Sequence, residues 1–501
     1  MPVVNFLVNE VLSVPAYLVG IIVAVGLIAL NKSVGQIVGG ALKATLGFLI
    51  LGAGAGVVVN ALSPLGELIL AATGAQGVVP TNEAIVSIAA AQFGAQVAWT
   101  MIGGFAISLL IARFTPLKYV FLTGHHIFFM ATMLTVVLSV ADLSNTMIVV
   151  VGSLLLGTIM QIMPTFAQPF TRRVTGNNTL AMGHFGSLGY ITAGAIGTVV
   201  GKKSRSTEDL HVPEGLRFLR DSMVATALSM VIFYIVFTTW TWIKLGDTAA
   251  FDILGATNGG NFIMLGVALG LQFGIGVSII LYGVRTILAE LVPAFEGISR
   301  RVVPGAVPAL DVPIVFPFAP NAVLVGFIAS FAGGLLSFGL LAWIFGPVFG
   351  LALILPGMVP HFFTGGGAGV YGNATGGRRG AVIGAFANGV LITFLAALLL
   401  KVLGSLGFEN TTFGDADFGW FGIVVGNVVK LGAIGGLVGL AVLIVVLLFG
   451  ASRYQQRLVN VEWKPGLEHS EWVAEEEAAE KAAIAEEAAR KKAAATGGET
   501  S

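Results

Sequence analysis

Two adjacent histidines, His125 and His126, stand in LTGHHIFF (Leu122–Phe129), inside a run otherwise made of hydrocarbon side chains. An imidazole can donate and accept hydrogen bonds, bind a metal or carry a proton. Neighbouring helical positions are about 100° apart, so the two rings cannot share one narrow face. One is expected to face a cavity and the other a neighbouring helix; plain helix packing is the bland reading for both. His184, in MGHFGSLGY, stands between Gly183 and Gly186. A ring beside free backbone amides suits a polyhydroxylated ligand, or else serves as a local cap. Asp311 lies in VPGAVPALDVPIVFPFAPNAV, among prolines that remove backbone donors and kink helices. A lone carboxylate there is expected to be paired, or hydrogen-bonded by substrate hydroxyls.

These groups are costly where they stand. A charge at the bilayer centre costs at least ~2.5–3.5 kcal/mol on insertion scales, and is kept where it lines a cavity or pairs. Lys43, Glu83, His125, His126, His184, Arg285, Glu290, Asp311 and His361 are the candidates. Arg285 and Glu290 are five apart, off the three- or four-residue spacing of a clean helical pair, and read as internal structural charges. No metal-ligand spacing appears, nor a Ser-His-Asp or paired-carboxylate arrangement in an aqueous setting. The glycine-dense stretch FFTGGGAGVYGNATGGRRGA (362–381) lacks the Lys-Ser/Thr ending of a phosphate-gripping loop and reads as a re-entrant hairpin and turn. Binding and moving a small polar solute is the simplest chemistry for this set.

The elements that must position these residues are membrane helices. Of the 501 residues, 56% are hydrophobic and only 10% charged, and 68 are glycine. A soluble domain carries about 25% charged residues. Apolar spans fall at 16–31, 36–61, 95–113, 118–140, 145–166, 221–243, 262–290, 322–347, 380–403 and 420–449. Four apolar stretches, 83–94, 180–200, 305–321 and 350–375, are broken by Gly, Pro or polar residues. Such segments enter the bilayer part-way or unwind inside it. About ten to twelve crossings of an all-α polytopic membrane protein result.

The loop 201–220, GKKSRSTEDLHVPEGLRFLR, is basic and is expected in the cytoplasm, as is ASRYQQR after the last span. The tail 451–501 ends in Ala, Glu and Lys with no apolar face and reads as a cytoplasmic, solubilising segment. The first residues, MPVVNFLVNEVLSVPAYLVG, lack a positive stretch and a cleavage site, and read as mature chain. The net charge of zero suggests no nucleic-acid partner, and the absence of cysteine excludes disulfides and thiolate chemistry on this chain. A weak repeat also shows. KATLGFLILGAGAG faces RTILAELVPAFEG, TNEAIVSIAAAQFGAQVAW faces ALDVPIVFPFAPNAVLVGF, and LTGHHIFF faces LPGMVPHFF, in one order and at offsets of roughly 230–240 residues. Repeat one is expected over about 10–200 and repeat two over about 255–450 of a membrane-embedded region 1–450.

LTGH, MGH in a broken segment, DLHVPEGLRFLRDSMVATAL, GVRTILAELVPAFEGISRRVVPGAVPALD, FAPNAVLVGF and LPGMVPHFF run in an order that resembles the ascorbate-type IIC permeases of the phosphoenolpyruvate-dependent sugar phosphotransferase system, over roughly residues 10–450. The resemblance implies about eleven membrane helices with re-entrant hairpins, a substrate-carrying core domain and a V-shaped dimerisation domain, in a multi-pass inner-membrane homodimer. It implies an elevator-like movement of the core. It also implies a cytosolic IIB subunit that passes phosphate from its cysteine to the incoming sugar, and a IIA subunit that recharges IIB. This chain would itself be no enzyme and would need no cofactor.

The family's ligand positions fall on His125, His184 and Asp311, and on a polar pair before the third span at Asn82 and Glu83. His126 is carried with them. The family usually has Thr-Tyr where Asn82 and Glu83 stand, and glutamine where this chain has Phe129 and Phe185. Lost amide contacts can change specificity by orders of magnitude. L-Ascorbate is thus the default substrate, with another sugar, sugar acid or polyol close behind. An ion-coupled transporter using Glu83 or Asp311 as a proton site is the rival reading, and a non-transporting membrane receptor a second.

Overall fold

The computed structural model describes residues 14–141, 143–201, 204–210, 222–404, 406, 410–466, 478 and 480–488. The N-terminal reading over 1–13, most of the loop 201–220 and much of the tail 451–501 lie outside the described residues.

The described chain is all-α and polytopic. Eight of its described helices are long and apolar enough to cross a membrane. In order the helices are α1 (Pro15–Ala29), α2 (Val34–Thr73), α3 (Asn82–Phe114), α4 (Gly124–Ser139), α5 (Asn145–Thr175), α6 (Ser187–Val200), α7 (Ser222–Leu245), α8 (Asp247–Leu254), α9 (Gly259–Val302), α10 (Pro320–Leu340), α11 (Met358–Leu399), α12 (Ala416–Val429) and α13 (Ala433–Tyr454). Most helix ends lie several residues from the hydropathy reading, and in two places the reading changes in kind. Residues 83–94 are not broken but form the first turns of α3, where Glu83 and Ser87 sit on a buried face beside alanines that favour helix. The single span expected over 420–449 is two helices, parted at Gly432, whose φ of 85° ends α12 and starts α13.

Two helices show why glycine is so frequent. α2 and α9 run antiparallel with glycines at matching levels: a Cβ on Gly47 would lie 2.8 Å from the Gly283 carbonyl oxygen, and one on Gly54 2.8 Å from the Ile280 nitrogen. Small residues let membrane helices approach backbone to backbone. Lys43 Nζ and Glu290 Oε1 pair at 2.8 Å toward one end of this contact, with the Lys43 side chain largely exposed. In α11 the helical path is interrupted at Gly376 and Gly377, the latter at φ 55°, ψ −149°, a conformation essentially confined to glycine. The limbs on either side meet at Gly372 and Gly380.

Six short strands organise the centre. β1 (Gly77–Pro80) pairs in parallel with β5 (Leu353–Ile354) and β6 (Thr411–Thr412). β4 (Val307–Leu310) pairs in parallel with β2 (Tyr119–Phe121) and β3 (Ala181–Met182). Exchanging β1 with β4, β2 with β5 and β3 with β6 turns one sheet into the other. The exchanged strands start 230, 234 and 230 residues apart, at Gly77 and Val307, Tyr119 and Leu353, Ala181 and Thr411. LTGHHIFF follows β2 and LPGMVPHFF follows β5, so that sequence pair falls on exchanged strands. Each strand is followed by a helix or helical turn, which directs six helical starts toward one region.

Candidate functional site

Every polar side chain of this region except Arg285 of α9 comes from a strand-to-helix break. Asn82 and Glu83 open α3 after β1, and His125 and His126 open α4 after β2. His184 stands between β3 and α6. Asp311 follows β4 and caps the helical turn Val312–Phe318, its Oδ1 accepting the Val312 N–H at 2.7 Å. Asp415 precedes α12 after β6. A cavity of about 230 Å³ is lined by Asn82, Glu83, His125, His126, Phe129, His184, Asp311 and Asp415, with Arg285 and Leu288 of α9 and Phe363 of α11 completing the wall.

His125 Nε2 lies 3.5 Å from Asp311 Oδ2, and His184 Nε2 lies 3.9 Å from Asp311 Oδ1. Both separations exceed a good hydrogen bond. The three groups therefore face a common point without closing on one another, which leaves their polar atoms for a guest. The orientation of His184 is fixed from behind. Its Nδ1 accepts the Gly186 N–H at 2.9 Å and contacts the Tyr190 hydroxyl at 2.9 Å. An accepting Nδ1 in a neutral ring leaves the proton on Nε2, which then donates toward Asp311 and the cavity.

His126 is 2% exposed and held tightly. Its Nδ1 accepts the Phe185 N–H at 3.3 Å, its ring stacks on Phe418 at 5.8 Å, and its centroid is 3.9 Å from that of His184. Phe129 lies on the cavity wall, edge-on to His125 at 5.8 Å. Phe185 is off the wall: it is fully buried behind His126, stacked on Phe121 at 4.8 Å. His361 bonds Ser330 at 2.8 Å and packs under Gly334, also off this wall.

Two acids were not singled out in the sequence. Asp415 Oδ2 accepts from Asn82 Nδ2 at 2.7 Å, and Asn82 Oδ1 accepts the Gly414 N–H at 2.8 Å. Asp417 accepts the Ser187 and Leu188 N–H groups at 2.9 and 3.1 Å and so caps α6. The available signal was two carboxylates in the otherwise apolar TTFGDADFGW, the same cost criterion that picked out Asp311. Arg285, read from the sequence as an internal structural charge, lines the cavity.

Two groups of possible metal ligands, His125–His126–Asp311 and His126–His184–Asp415, have their donor atoms within 4.8 Å of one another. The tautomers argue against a metal there. A ligating ring donates its second N–H to an acceptor, whereas the Nδ1 atoms of His126 and His184 each accept a backbone N–H. Their remaining nitrogens carry protons, which suits hydrogen bonds to an oxygen-rich solute.

Residues 10–417 match the family described as PTS system sugar-specific permease component. The chain is 29% identical over 413 residues to the ascorbate-specific PTS system EIIC component of Mycoplasma pneumoniae, an alignment covering 74% of this chain and 62% of that relative. The chain thus spans less than two thirds of that relative's length.

Proposed function

The chain belongs to the phosphotransferase-system sugar-specific permease components, multi-pass transport subunits of the inner membrane rather than catalysts, and from that premise we propose that it takes up L-ascorbate or a related sugar acid or polyol by an elevator-like movement coupled to phosphorylation. The observation that carries this reading is the open arrangement of His125, His184 and Asp311 around one cavity, at 3.5 and 3.9 Å. Its volume is below the roughly 300–1,000 Å³ of drug-sized sites and suits one small solute.

His184 and His125 donate through Nε2 to substrate oxygens, and Asp311 accepts from a hydroxyl. Asn82 and Asp415, already bonded to each other, hold the far wall. Phe129 and Phe363 shield the apolar face of the guest. The polar groups other than Arg285 ride on α3, α4, α6 and α10–α12, the core domain of this reading. Helices α1, α2 and α7–α9 form the V-shaped domain of a homodimer, against which the core slides. At the cytoplasmic face a IIB subunit transfers its phosphoryl group from a cysteine sulfur to a substrate hydroxyl oxygen, which loses its proton; IIA recharges IIB. The charged ester cannot return across the bilayer, so no ion gradient is needed.

Uptake into vesicles containing the chain tests this. Accumulation of phosphorylated product that requires phosphoenolpyruvate, IIA and IIB is the expected result. Accumulation of unmodified solute that an uncoupler abolishes overturns it in favour of ion coupling, and binding without uptake in favour of a receptor.

A further inference from the structure

Two carboxyl groups stand at the start of α12, and only one of them faces the cavity. Asp415 lines the wall. Asp417, two residues on, is 0% exposed and lies off it. A fully buried carboxyl group is costly unless its oxygens are engaged. Oδ2 of Asp417 accepts the Ser187 N–H at 2.9 Å, and Oδ1 accepts the Leu188 N–H at 3.1 Å and the Trp420 Nε1–H at 2.9 Å. The Asp417 N–H donates in turn to the Phe185 carbonyl oxygen at 2.8 Å. Both side-chain oxygens serve as acceptors, whether or not the group carries a charge.

These bonds grip one turn, Phe185–Leu188, at three of its backbone atoms, and that turn seats two histidines of the cavity wall. The Gly186 N–H inside it meets His184 Nδ1 at 2.9 Å, and Ser187 Oγ donates to the His184 carbonyl oxygen at 2.7 Å. The Phe185 N–H meets His126 Nδ1 at 3.3 Å. Phe418, the residue after Asp417, stacks on the His126 ring with the planes 2° apart. The centroids of His126 and His184 are 3.9 Å apart, so a displaced turn moves both rings. β3 and β6 lie in different sheets, and no strand ladder joins the breaks that follow them. Asp417 supplies that link, across 230 positions of chain.

We propose that Asp417 is a positioning residue of the solute site, which sets the orientation of His184 and His126 without touching the solute. This rests on the permease reading for the solute that those rings meet. Asn at this position keeps the shape but turns one acceptor into a donor that faces an N–H, so the turn must shift. Binding geometry tolerates only about 0.5 Å of such displacement.

The test is imidazole nitrogen-15 NMR of the histidine-labelled full-length protein in lipid vesicles, without solute. His126→Ala and His184→Ala assign the two ring signals by their loss. Asp417→Asn is expected to move both, while the signal of His361, whose ring bonds Ser330 off this wall, stays in place. A residue that only caps α6 would change the thermal midpoint and leave the ring signals alone, so wild-type signals in a folded Asp417→Asn overturn the proposal. If Asp417→Asn does not fold, Trp420→Phe, which removes one donor to Oδ1, decides: both signals move by a smaller amount, or the proposal falls. Affinity is the second readout, with L-ascorbate as the calorimetric probe. Asp417→Asn is expected to weaken binding about ten-fold in the wild-type background, but under about three-fold in a His184→Ala background, because residues that act through one another are not additive. Full additivity overturns the proposal. The permease reading fails on a different readout, the absence of phosphorylated product in vesicles with IIB, which leaves the ring signals untouched.

Discussion

Asn82 and Asp415, 333 positions apart in the chain, meet at 2.7 Å through Nδ2 and Oδ2. The same amide holds the other strand-to-helix break through the Gly414 N–H at 2.8 Å. β1 and β6, which precede these residues, are hydrogen-bonded neighbours in one sheet. One side chain therefore ties the start of α3 to the start of α12. Asn82→Ala leaves the 5%-exposed Asp415 without this donor. An orphaned buried acceptor costs about 1–3 kcal/mol. The expected outcome is a lower thermal midpoint of the detergent-purified protein and weaker solute binding. An unchanged midpoint refutes the tie.

Asp311→Asn and His184→Ala are expected to weaken solute binding about 10- to 100-fold, the loss of one hydrogen bond to a charged or oriented partner. Both variants are expected to keep a wild-type gel-filtration profile, since neither group closes a short bond across the cavity. Wild-type affinity in both removes these residues from the site.

Tyr190→Phe separates orientation from contact. The Tyr190 hydroxyl reaches Nδ1 of His184 at 2.9 Å, but the Gly186 N–H reaches the same atom at 2.9 Å. Removing one of two supports loosens the ring without reversing its tautomer. A loss in affinity smaller than that of His184→Ala, under about ten-fold, is expected in the same calorimetric titration. A loss equal to His184→Ala shows instead that the hydroxyl itself meets the solute.

How far the sequence foretold this arrangement depends on what each signal measures. Hydropathy marks residues that must avoid water, so long helices such as α2, α5 and α9 were legible, with ends displaced by several residues. The same measure cannot tell a half-crossing from a short full helix, and the strands β1 to β6, of two to four residues, are below its window. Rarity of charge in apolar surroundings found His125, His184 and Asp311, because cost at bilayer depth is a property of one residue. Partnership is a property of two. Spacing spoke against a clean pair of Arg285 with Glu290 but could not name the partner of Glu290, which is Lys43, 247 positions away. Asp415 was passed over because the apolar span was started a few residues beyond it. Phe185, drawn in by resemblance, stands behind the cavity wall, since only a structure separates a residue lining a site from its immediate neighbour along the chain.

The tail makes a weak attachment. Arg205 Nη2 lies 3.3 Å from Glu480 Oε2, both side chains more than half exposed. Exposed pairs contribute little and are screened by salt. Deleting residues 467–501 is expected to leave the thermal midpoint and solute affinity unchanged at physiological salt. A fall in either shows that the tail does more than solubilise.

The contact between α2 and α9 gives a steeper prediction. A Cβ on Gly283 would stand 2.6 Å from the Gly47 carbonyl oxygen and 2.7 Å from the Leu51 nitrogen. Backbone cannot swing aside as a side chain can, so the helices must separate. Parting them also shifts Lys43 against Glu290 and moves the face of α9 that carries Arg285 and Leu288. Gly283→Ala is expected to cost about 1–3 kcal/mol, the usual range for an overpacked contact, read as a lower midpoint in detergent. Gly35, where a Cβ meets nothing within 4 Å, is the matched control on the same α2 helix. Gly35→Ala is expected to be neutral or slightly stabilising. If Gly283→Ala and Gly35→Ala behave alike, backbone contact does not hold α2 to α9.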